Sequence, residues 1–502
     1  MTHVVTPRKR RNLIRDVGDS ERSQKYSRGS GVNFQNVPQQ AGAGEGVNIL
    51  NDDHAQSRQD PFDTFGIPLI NDDYERFEDH YIEPTQDPTD TGPIVFKFKT
   101  QGGERFDSSF GEIEAEHEII NVAKKAKTTE TDLIAVINSF PITSYDRVEV
   151  KINDEVVTNS SSGNHAFHAY FQQKFSYNKA VKKEILRKTE YYFEEEPDRA
   201  EVFALEEGEN DHFREKHGIF IANTKSVKSR TQFYLDIFNV DKYYPSDLDF
   251  TITLTRNPNA FCLMGPAGTE DKYKIKIKKI RLVLRKIIPN KKLVHMEEQL
   301  FNSGKKSYIP YSHGIMTSYL MEKGNVSKKF IDVALDKTLP KKMFVFFVDH
   351  DAMSGAMNKN PFQWKNYDLQ KIQFFVEGRP YPIIPYDFDF NNDEVKQGYM
   401  ELLNALGVAR SNRNINLTVD MYKRYCSVFV LDLHADQCNT DHIHFQKDGS
   451  IDVQLLFRTP LPYTINVCFL AYHDYCLTFQ RVPEKHKIIV TKEPINKLLE
   501  LQ

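Results

Sequence analysis

The stretch that decides the fold runs from Asn360 to Gly407 and reads NPFQWKNYDLQKIQFFVEGRPYPIIPYDFDFNNDEVKQGYMELLNALG. Its first part predicts a strand, because apolar residues alternate with other residues at the period of two that a half-buried strand requires. These apolar residues are Ile372, Phe374 and Val376. A turn at Glu377-Gly378 follows, and three prolines then prevent the chain from continuing as a central strand. The prolines are Pro380, Pro382 and Pro385.

A single amphipathic helix closes this stretch. Asn391 or Asn392 can cap its first N–H groups, and acidic residues follow at the positive end of the helix dipole. Gly407 can end the helix in a left-handed conformation. The apolar face consists of Val395, Tyr399, Leu402, Leu403 and Leu406. One helix in a strand-rich neighbourhood indicates an architecture built mainly on sheets.

Length and composition narrow the classes of protein. A chain of 502 residues is expected to hold more than one domain, and 39% apolar residues with 35 Phe and 24 Tyr allow sizeable cores. A net charge of -4 argues against a general nucleic-acid-binding surface. Five cysteines without a paired framework suit a reducing compartment. Neither a signal peptide nor a run of ~18 apolar residues is visible, so we expect a soluble protein made in the cytosol.

Residues 1–92 are predicted to be a flexible N-terminal arm. They are rich in Gly, Ser, Gln, Asn, Asp and Pro and show no sustained periodicity, so they cannot bury enough apolar surface to offset their ordering entropy. A basic cluster near the start has three readings: a nuclear-localisation signal, a nucleic-acid contact, or an ordinary charged tail. The cluster is Arg8, Lys9, Arg10 and Arg11.

The remaining chain divides into two blocks, residues 93–289 and 290–502. In each block a strand leads through a hairpin-like feature into a helix, at 164–188 in the first and about 392–406 in the second. A basic strand pair is predicted over 272–288, either as a solvated face or as a lining for an acidic partner. The shared order predicts an internal duplication of a β-sandwich, and short strands with turn signals are the pattern of the eight-stranded jelly roll.

Several segments, which occur along the chain in the order of that family, resemble the double jelly-roll major capsid proteins of tailless double-stranded DNA viruses. The resemblance is closest to the Polinton/Maverick group with its adintovirus-like relatives. The resemblance lies in NPNAFCLM from Asn257 to Met264, in the segment 431–457, and in the opening stretch. Within that stretch the residues that carry it are Asn360, Pro361, Phe362, Trp364, Gly378, Pro380, Pro385 and Gly407. It covers about residues 93–490 and leaves the arm uncovered.

The resemblance implies an all-β fold of two tandem eight-stranded jelly rolls, each with a helix in a loop. It implies a structural, non-enzymatic protein without cofactors, whose homotrimers form pseudo-hexagonal capsomers that tile an icosahedral shell around double-stranded DNA. A penton or minor capsid protein is an expected partner, and the basic arm is a candidate DNA contact. The implied location is the virion capsid, after synthesis in the host cytosol and assembly there or in the nucleus.

Motifs for chemistry give no competing site. One loop carries a dense set of metal-ligand side chains, but its spacing matches no standard zinc pattern, so we predict no catalytic, cofactor or metal site. A bound cation in this loop is the alternative interpretation. The set is His434, Asp436, Cys438, Asp441, His442 and His444. Alternative functions remain: a glycan-cleaving enzyme built from two jelly rolls, a non-catalytic carbohydrate- or receptor-binding β protein, and a host-domesticated capsid-like protein.

Overall fold

Strands dominate the computed structural model, and they fall into two groups along the chain. The structure describes residues 73–89, 92–158, 164–186, 191–192, 201–203, 205–206, 211–220, 226–238, 240, 242–334, 337–409, 414–434, 447–482 and 487–495. All of these belong to one compact unit, Asn71–Gln502.

The first group of strands builds a sandwich of two antiparallel sheets. One sheet has the order β1-β11-β3-β8 and the other β2-β9-β6-β7, while β4 extends the edge beside β8 and β5 pairs with β10 in a small separate ladder. The strands are β1 Tyr74–Ile82, β2 Ile94–Lys99, β3 Arg105–Asn121, β4 Ala126–Lys127, β5 Ala135–Val136, β6 Tyr145–Ile152, β7 Glu155–Val156, β8 Val227–Gln232, β9 Asp249–Arg256, β10 Leu263–Met264 and β11 Tyr273–Pro289.

The second group repeats this arrangement. Its sheets have the orders β12-β19-β14-β17 and β13-β18-β15-β16, and β20 pairs with the far part of β19. The strands are β12 Ser307–Met321, β13 Ser327–Phe330, β14 Lys342–Asp349, β15 Leu369–Val376, β16 Arg379–Asp387, β17 Phe429–Asp432, β18 Ile451–Phe457, β19 Ile465–Val482 and β20 Lys487–Pro494.

The two sandwiches are jelly rolls with the same topology. If the eight principal strands of each are counted along the chain, both rolls show the sheet orders 1-8-3-6 and 2-7-4-5. In both rolls a set of helices lies between the fifth and sixth strands, within residues 165–220 in the first roll and 396–424 in the second. The predicted double jelly roll is therefore confirmed, whereas the internal duplication and the division at residues 289 and 290 stay predictions.

Helices occupy the connections. The predicted helix at 164–188 forms as two pieces, α2 and α3, and the described residues contain no helix long and apolar enough to cross a bilayer. The helices are α1 Phe140–Thr143, α2 His165–Ser176, α3 Lys179–Glu184, α4 Asp211–Phe220, α5 Asn259–Cys262, α6 Lys291–Asn302, α7 His350–Ser354, α8 Lys396–Ala405 and α9 Val419–Arg424.

The first strand of the first roll lies inside the range predicted as a flexible arm. Residues Tyr74–Ile82 pair with β11 from Pro289 to Leu282, so the prediction of an arm extending to residue 92 is wrong for this segment. Eight of its nine residues are exposed, which removes the apolar alternation that would have revealed a strand. The strand is held by its ladder and not by a buried face.

Two further predictions need correction. The basic segment 272–288 forms one strand, β11, instead of a strand pair; shifts in its register against β3 after Ile277 and Leu284 bend it without ending it. Neither Asn391 nor Asn392 caps α8, whose N-cap is Val395 without a side-chain hydrogen bond. The two asparagine N–H groups donate instead to Asp389 Oδ1, at 3.1 and 3.0 Å. The C-terminal prediction is confirmed, since Gly407 has a φ of 67°.

The hydrophobic cores of the two rolls are continuous with each other. One buried cluster joins the aromatic residues of α2, which belongs to the first roll, to the interior of the second. Another joins the interior of the first roll to residues of β12 and β19, including Tyr311 and Leu477. The rolls therefore share buried apolar surface instead of meeting as independent domains.

Candidate assembly site: the junction and the exposed edges

The Asn360–Trp364 motif forms a turn on the second roll that faces the first. The buried Asn360 side chain accepts the N–H of Phe362 at 3.0 Å, which fixes the turn. The backbone N–H of Trp364 donates to the carbonyl of Tyr425 at 2.8 Å, and the backbone carbonyl of Trp364 accepts the N–H of Ser427 at 2.9 Å. Pro361 is buried with its neighbours. The turn therefore holds Phe362 and Trp364 in fixed positions.

Helix α2 docks on these two aromatic rings. Phe362 and Trp364 are fully buried, and the Tyr170 ring stacks on Phe362 at 4.2 Å between centroids and 16° between planes. The rings of Phe171 and Phe175 lie 6.1 Å from Trp364. Each buried aromatic side chain removes about 150–250 Å² from water, so this contact is a large share of what joins the rolls. The motif singled out from the sequence is a structural junction.

A neighbouring strip of α2, which carries His168 and Gln172, contributes to a buried polar cluster around Asp236. The Asp236 carboxylate accepts hydrogen bonds from Gln172 Nε2 at 2.9 Å and from the Gly314 N–H at 2.8 Å. His313 Nδ1 lies 3.2 Å and His168 Nε2 lies 3.8 Å from the carboxylate oxygens. We call Asp236, His168, Gln172, His313 and Gly314 the junction cluster. It links α2, the turn after β8 and the strand β12 of the second roll.

Sequence reasoning missed this cluster. Its members are scattered over about 150 positions of the chain, and each reads alone as an ordinary polar residue. One signal was available in Gly314, because an isolated glycine within a strand often marks a close approach of another group. A Cβ added there would lie 2.6 Å from His168 Nε2 and 2.9 Å from the Tyr472 ring. The glycine therefore makes room for the histidine.

A cavity of about 520 Å³ adjoins the junction cluster. Gln172 and Asp236 line it from the first roll, and Ser312 and Tyr472 line it from the second. The Ser312 hydroxyl is buried and makes no hydrogen bond to the described protein atoms. A polar space of this size admits water, which can satisfy such a hydroxyl and carry protons to the cluster.

The edge strand β16 contains an exposed apolar bulge. Gly378, with a φ of 76°, closes the hairpin from β15, and Pro380 is the second residue of the new strand. Tyr381 pairs with Phe374 and Tyr386 with Ile372, so four residues lie opposite one and bulge from the sheet. We call these four the apolar bulge: Pro382, Ile383, Ile384 and Pro385.

The bulge is both exposed and fixed. Ile383 is 86% exposed and Ile384 is 74% exposed, values unusual for large apolar side chains. The Gln373 side-chain amide donates to the carbonyl of Pro382 at 3.0 Å, which anchors the bulge to β15. β16 lies at the edge of its sheet, as predicted from the prolines. A fixed apolar projection of this kind is typical of a protein contact.

A second exposed edge belongs to β1. Phe77 and Tyr81 are about half exposed, and each contacts an arginine of β11. The Arg285 guanidinium lies 4.8 Å from the Phe77 ring, and that of Arg281 lies 4.5 Å from the Tyr81 ring. Aromatic residues and arginine are enriched in protein interfaces. The β1 edge is therefore a second candidate contact surface.

The basic face of β11 pairs with glutamates of β3. Lys278 Nζ lies 3.0 Å from Glu118, and Arg281 Nη2 donates to both carboxylate oxygens of Glu114, at 2.9 and 3.0 Å. Desolvation would raise the pKa of Glu118, but hydrogen bonds and charge interactions with Lys278 and Lys127 lower this pKa below its ordinary value. This arrangement favours the solvated-face reading over a lining for an acidic partner.

Some predicted residues lie outside the described part of the chain. They are the basic cluster Arg8, Lys9, Arg10 and Arg11, and five of the six residues of the metal-ligand set. Only His434 of that set is described; its N–H donates to Asp432 Oδ1 at 3.0 Å. Among the residues that the structure describes, no group of three ligand side chains is arranged to hold a metal ion.

Comparisons with known proteins bear on the fold. No protein-family profile matches the chain. The uncharacterized protein F54H12.2 of Caenorhabditis elegans is 20% identical over 346 residues, covering 68% of this chain and 79% of that protein. A chain in the cryo-electron microscopy structure of the Sputnik virophage superposes with a TM-score of 0.53 at 11% identity, covering 91% of this chain and 94% of that one.

The mavirus major capsid protein is a further structural neighbour, with a TM-score of 0.44 at 12% identity over 92% of this chain and 99% of its own. The likeness to the virophage chain extends over almost the whole of both chains and agrees with the repeated strand order. The predicted double jelly roll is thus confirmed, and with it, at the level of the fold, the resemblance to double jelly-roll major capsid proteins.

Proposed function

We propose that this protein is the structural major capsid protein of a virus or virus-derived element. The observation that carries the proposal is the repeated jelly-roll order in two sandwiches that share a buried junction through α2. A single chain then provides two rigid walls of the same design. The likeness in fold to the virophage chain supports this role.

The proposed unit of assembly is a homotrimer. Three chains with two rolls each present six walls as a pseudo-hexagon, and such capsomers tile an icosahedral shell around double-stranded DNA. Cyclic symmetry makes each interface heterologous, so one surface of the chain must fit a different surface of its neighbour. The apolar bulge, with Ile383 and Ile384 exposed, and the β1 edge are two distinct surfaces suited to such contacts.

The finer assignments are proposals on the same basis. We place the chain in the Polinton/Maverick group because the quoted motifs resemble it. The basic cluster Arg8, Lys9, Arg10 and Arg11 is proposed to contact packaged DNA or to direct nuclear import. A penton or minor capsid protein is the expected second partner. The proposed location is the virion capsid, after synthesis in the host cytosol and assembly there or in the nucleus.

The positions of the buried ionisable groups favour a structural role of the protein over a catalytic one. Asp236, His168 and His313 lie together as catalytic groups often do, but they contact one another and α2 across the junction. They hold elements of the two rolls together. The protein is therefore proposed to act without a cofactor.

The test is the absolute mass of the purified chain by light scattering, with negative-stain electron microscopy of the same fraction. The capsid proposal expects particles of three chains with a hexagonal outline, or closed shells. A monomer at every concentration, also with its partner proteins added, would overturn it. A carbohydrate- or receptor-binding role would then be favoured.

A capsid-like protein encoded by an animal genome is a second candidate. The observation in its favour is the nematode relative, which matches 68% of this chain. Both candidates share the fold and the junction. They differ in assembly: a chain that retains the capsid role forms closed shells, whereas one that has been adapted to another role stops at small oligomers.

A further inference from the structure

The junction cluster and the residues around it contribute ionisable groups from every element that meets there. Each group is buried or nearly so, and among the described residues the groups that shift the pKa of the Asp236 carboxylate are His168, His313 and the Gly314 N–H, with no lysine or arginine. The groups are His165 and His168 from α2, Asp236 from the turn after β8, Tyr311 and His313 from β12, and Tyr472 and His473 from β19.

We propose that the junction cluster is an acid-sensitive latch between the two jelly rolls. At neutral pH His165 and His168 of α2 are uncharged beside the Asp236 carboxylate, and α2 stays docked on the second roll. One proton on the cluster gives a neutral ion pair with Asp236, whereas further protons leave buried positive charge that only undocking of α2 relieves. The latch is a property of the single chain and does not rest on the proposed capsid role.

The pKa shifts have the sign that the latch requires. Burial lowers the pKa of His168, and Asp236 opposes this shift only in part. Burial and then the nearby His168 lower the pKa of His165 to about 3. An undocked helix returns both imidazoles to the ordinary value of about 6.5, so the undocked state binds more protons below that pH. Docking is unaffected above about pH 6.5 and weakens as the pH falls.

Asp236 does not reverse this direction. Its burial would raise the pKa of the carboxyl group, but His168, His313 and the Gly314 N–H together lower it below its ordinary value. The carboxylate therefore stays ionised until the pH falls below about 3.8, and its stabilisation is lost only there. Between about pH 6.5 and 4, the histidines decide the docking equilibrium, by up to about tenfold per pH unit for each one.

The chain carries its own reporter of docking. Trp364 is its single tryptophan, and it is fully buried against Phe171 and Phe175 of α2, the helix that also carries His168 of the junction cluster. Undocking exposes this indole to water and shifts its emission to longer wavelength. Far-UV circular dichroism meanwhile reports the strands, which the latch leaves intact.

The experiment is a titration of the full chain from about pH 7.5 to about pH 4, with light scattering at each point to show a constant association state. The latch predicts a reversible red shift of Trp364 emission with a midpoint between about pH 4 and 6, before the circular dichroism changes. Coincident changes in both signals would overturn the proposal, because they would report global unfolding. This comparison needs only the wild-type chain.

Variants test the residues involved. In H165Q and H168Q the amide Nε2 of glutamine replaces the imidazole Nε2, so a polar atom remains in place while titration is lost. The double variant should move the emission midpoint down by about one pH unit or more. The control H295Q changes an exposed histidine of α6 and should leave the midpoint in place. An unmoved midpoint in a double variant that folds at neutral pH would refute the assignment.

Discussion

Trp364 gives the sharpest test of how the two rolls are joined, because its two parts have opposite effects on stability. Its ring is fully buried, 4.4 Å from Phe346 of its own roll and in contact with α2 of the other. Its indole N–H is also buried and has no hydrogen-bond partner among the described residues. The ring stabilises the junction, whereas the N–H costs free energy in the folded state.

Magnitudes separate two substitutions. Trp364→Ala removes the whole ring and should lower the free energy of unfolding by about 3–5 kcal/mol, the usual loss for a buried tryptophan. Trp364→Phe leaves a gap of about 40 Å³, which at about 24 cal/mol per Å³ costs about 1 kcal/mol. Removal of the unpartnered N–H returns about 1–3 kcal/mol. The phenylalanine variant should therefore lie within about 1 kcal/mol of the wild type, or above it.

Denaturant unfolding followed by far-UV circular dichroism measures these differences without the tryptophan signal. The control Ile185→Ala alters a side chain that is 60% exposed and should change stability by less than about 0.5 kcal/mol. If Trp364→Phe lost as much as Trp364→Ala, the unpartnered N–H would carry no cost and the reasoning would be refuted. If neither lost stability, the aromatic junction itself would not hold the rolls together.

Three further predictions concern assembly, close packing and thiol reactivity. The double variant I383D/I384D should raise the dissociation constant of the oligomer at least about 100-fold, since each isoleucine buried in the interface contributes about 1.5–3 kcal/mol. The circular dichroism of this variant and of the control I185D should stay unchanged. An oligomer of normal mass would exclude the apolar bulge as a contact. Gly314→Ala should destabilise the chain by about 1–3 kcal/mol, because the new Cβ would lie 2.6 Å from His168 Nε2. Gly218→Ala, in open space on α4, should instead stabilise the chain by about 0.5–1 kcal/mol. Equal melting temperatures of the two variants would contradict this prediction. In a C438S background the four described cysteines, which are all buried, should not react with a thiol reagent before denaturation. Burial raises the pKa of Cys262 to about 12 and that of Cys476 to about 11, which keeps both thiols protonated. A rapid reaction of the native protein would show that a thiol is accessible.

Sequence patterns revealed the parts of the fold that depend on one-sided burial. β14 was predictable because its six central residues are all buried, and the β15–β16 hairpin because of the turn at Gly378 and the prolines that confine β16 to an edge. β1 was not predictable, since a strand that is exposed on both faces lacks the alternation on which such predictions depend. The capping of α8 was wrong because Asp389 takes the asparagine N–H groups into a turn before the helix begins.

The candidate site was predictable only in part, for a related reason. The Asn360–Trp364 motif was visible as a local run, and the structure places it at the junction. The junction cluster depends on contacts between residues 236 and 313, which no local pattern connects. The exposed isoleucines of the apolar bulge were plain in the sequence, but their exposure depends on the register of β16 against Ile372 and Phe374. The junction cluster and the apolar bulge are therefore distinguished from ordinary polar and apolar residues by their tertiary geometry and not by residue type.

The docking of α2 on the second roll has a consequence for synthesis on the ribosome. The helix ends at Ser176, but its aromatic partner Trp364 is made 188 residues later. At about 5–20 residues per second, the aromatic face of α2 stays without its partner for about 10–40 s. A chain truncated after the first roll would keep that face exposed permanently and should aggregate. We therefore expect the nascent protein to gain from a chaperone that covers this helix until the second half has emerged.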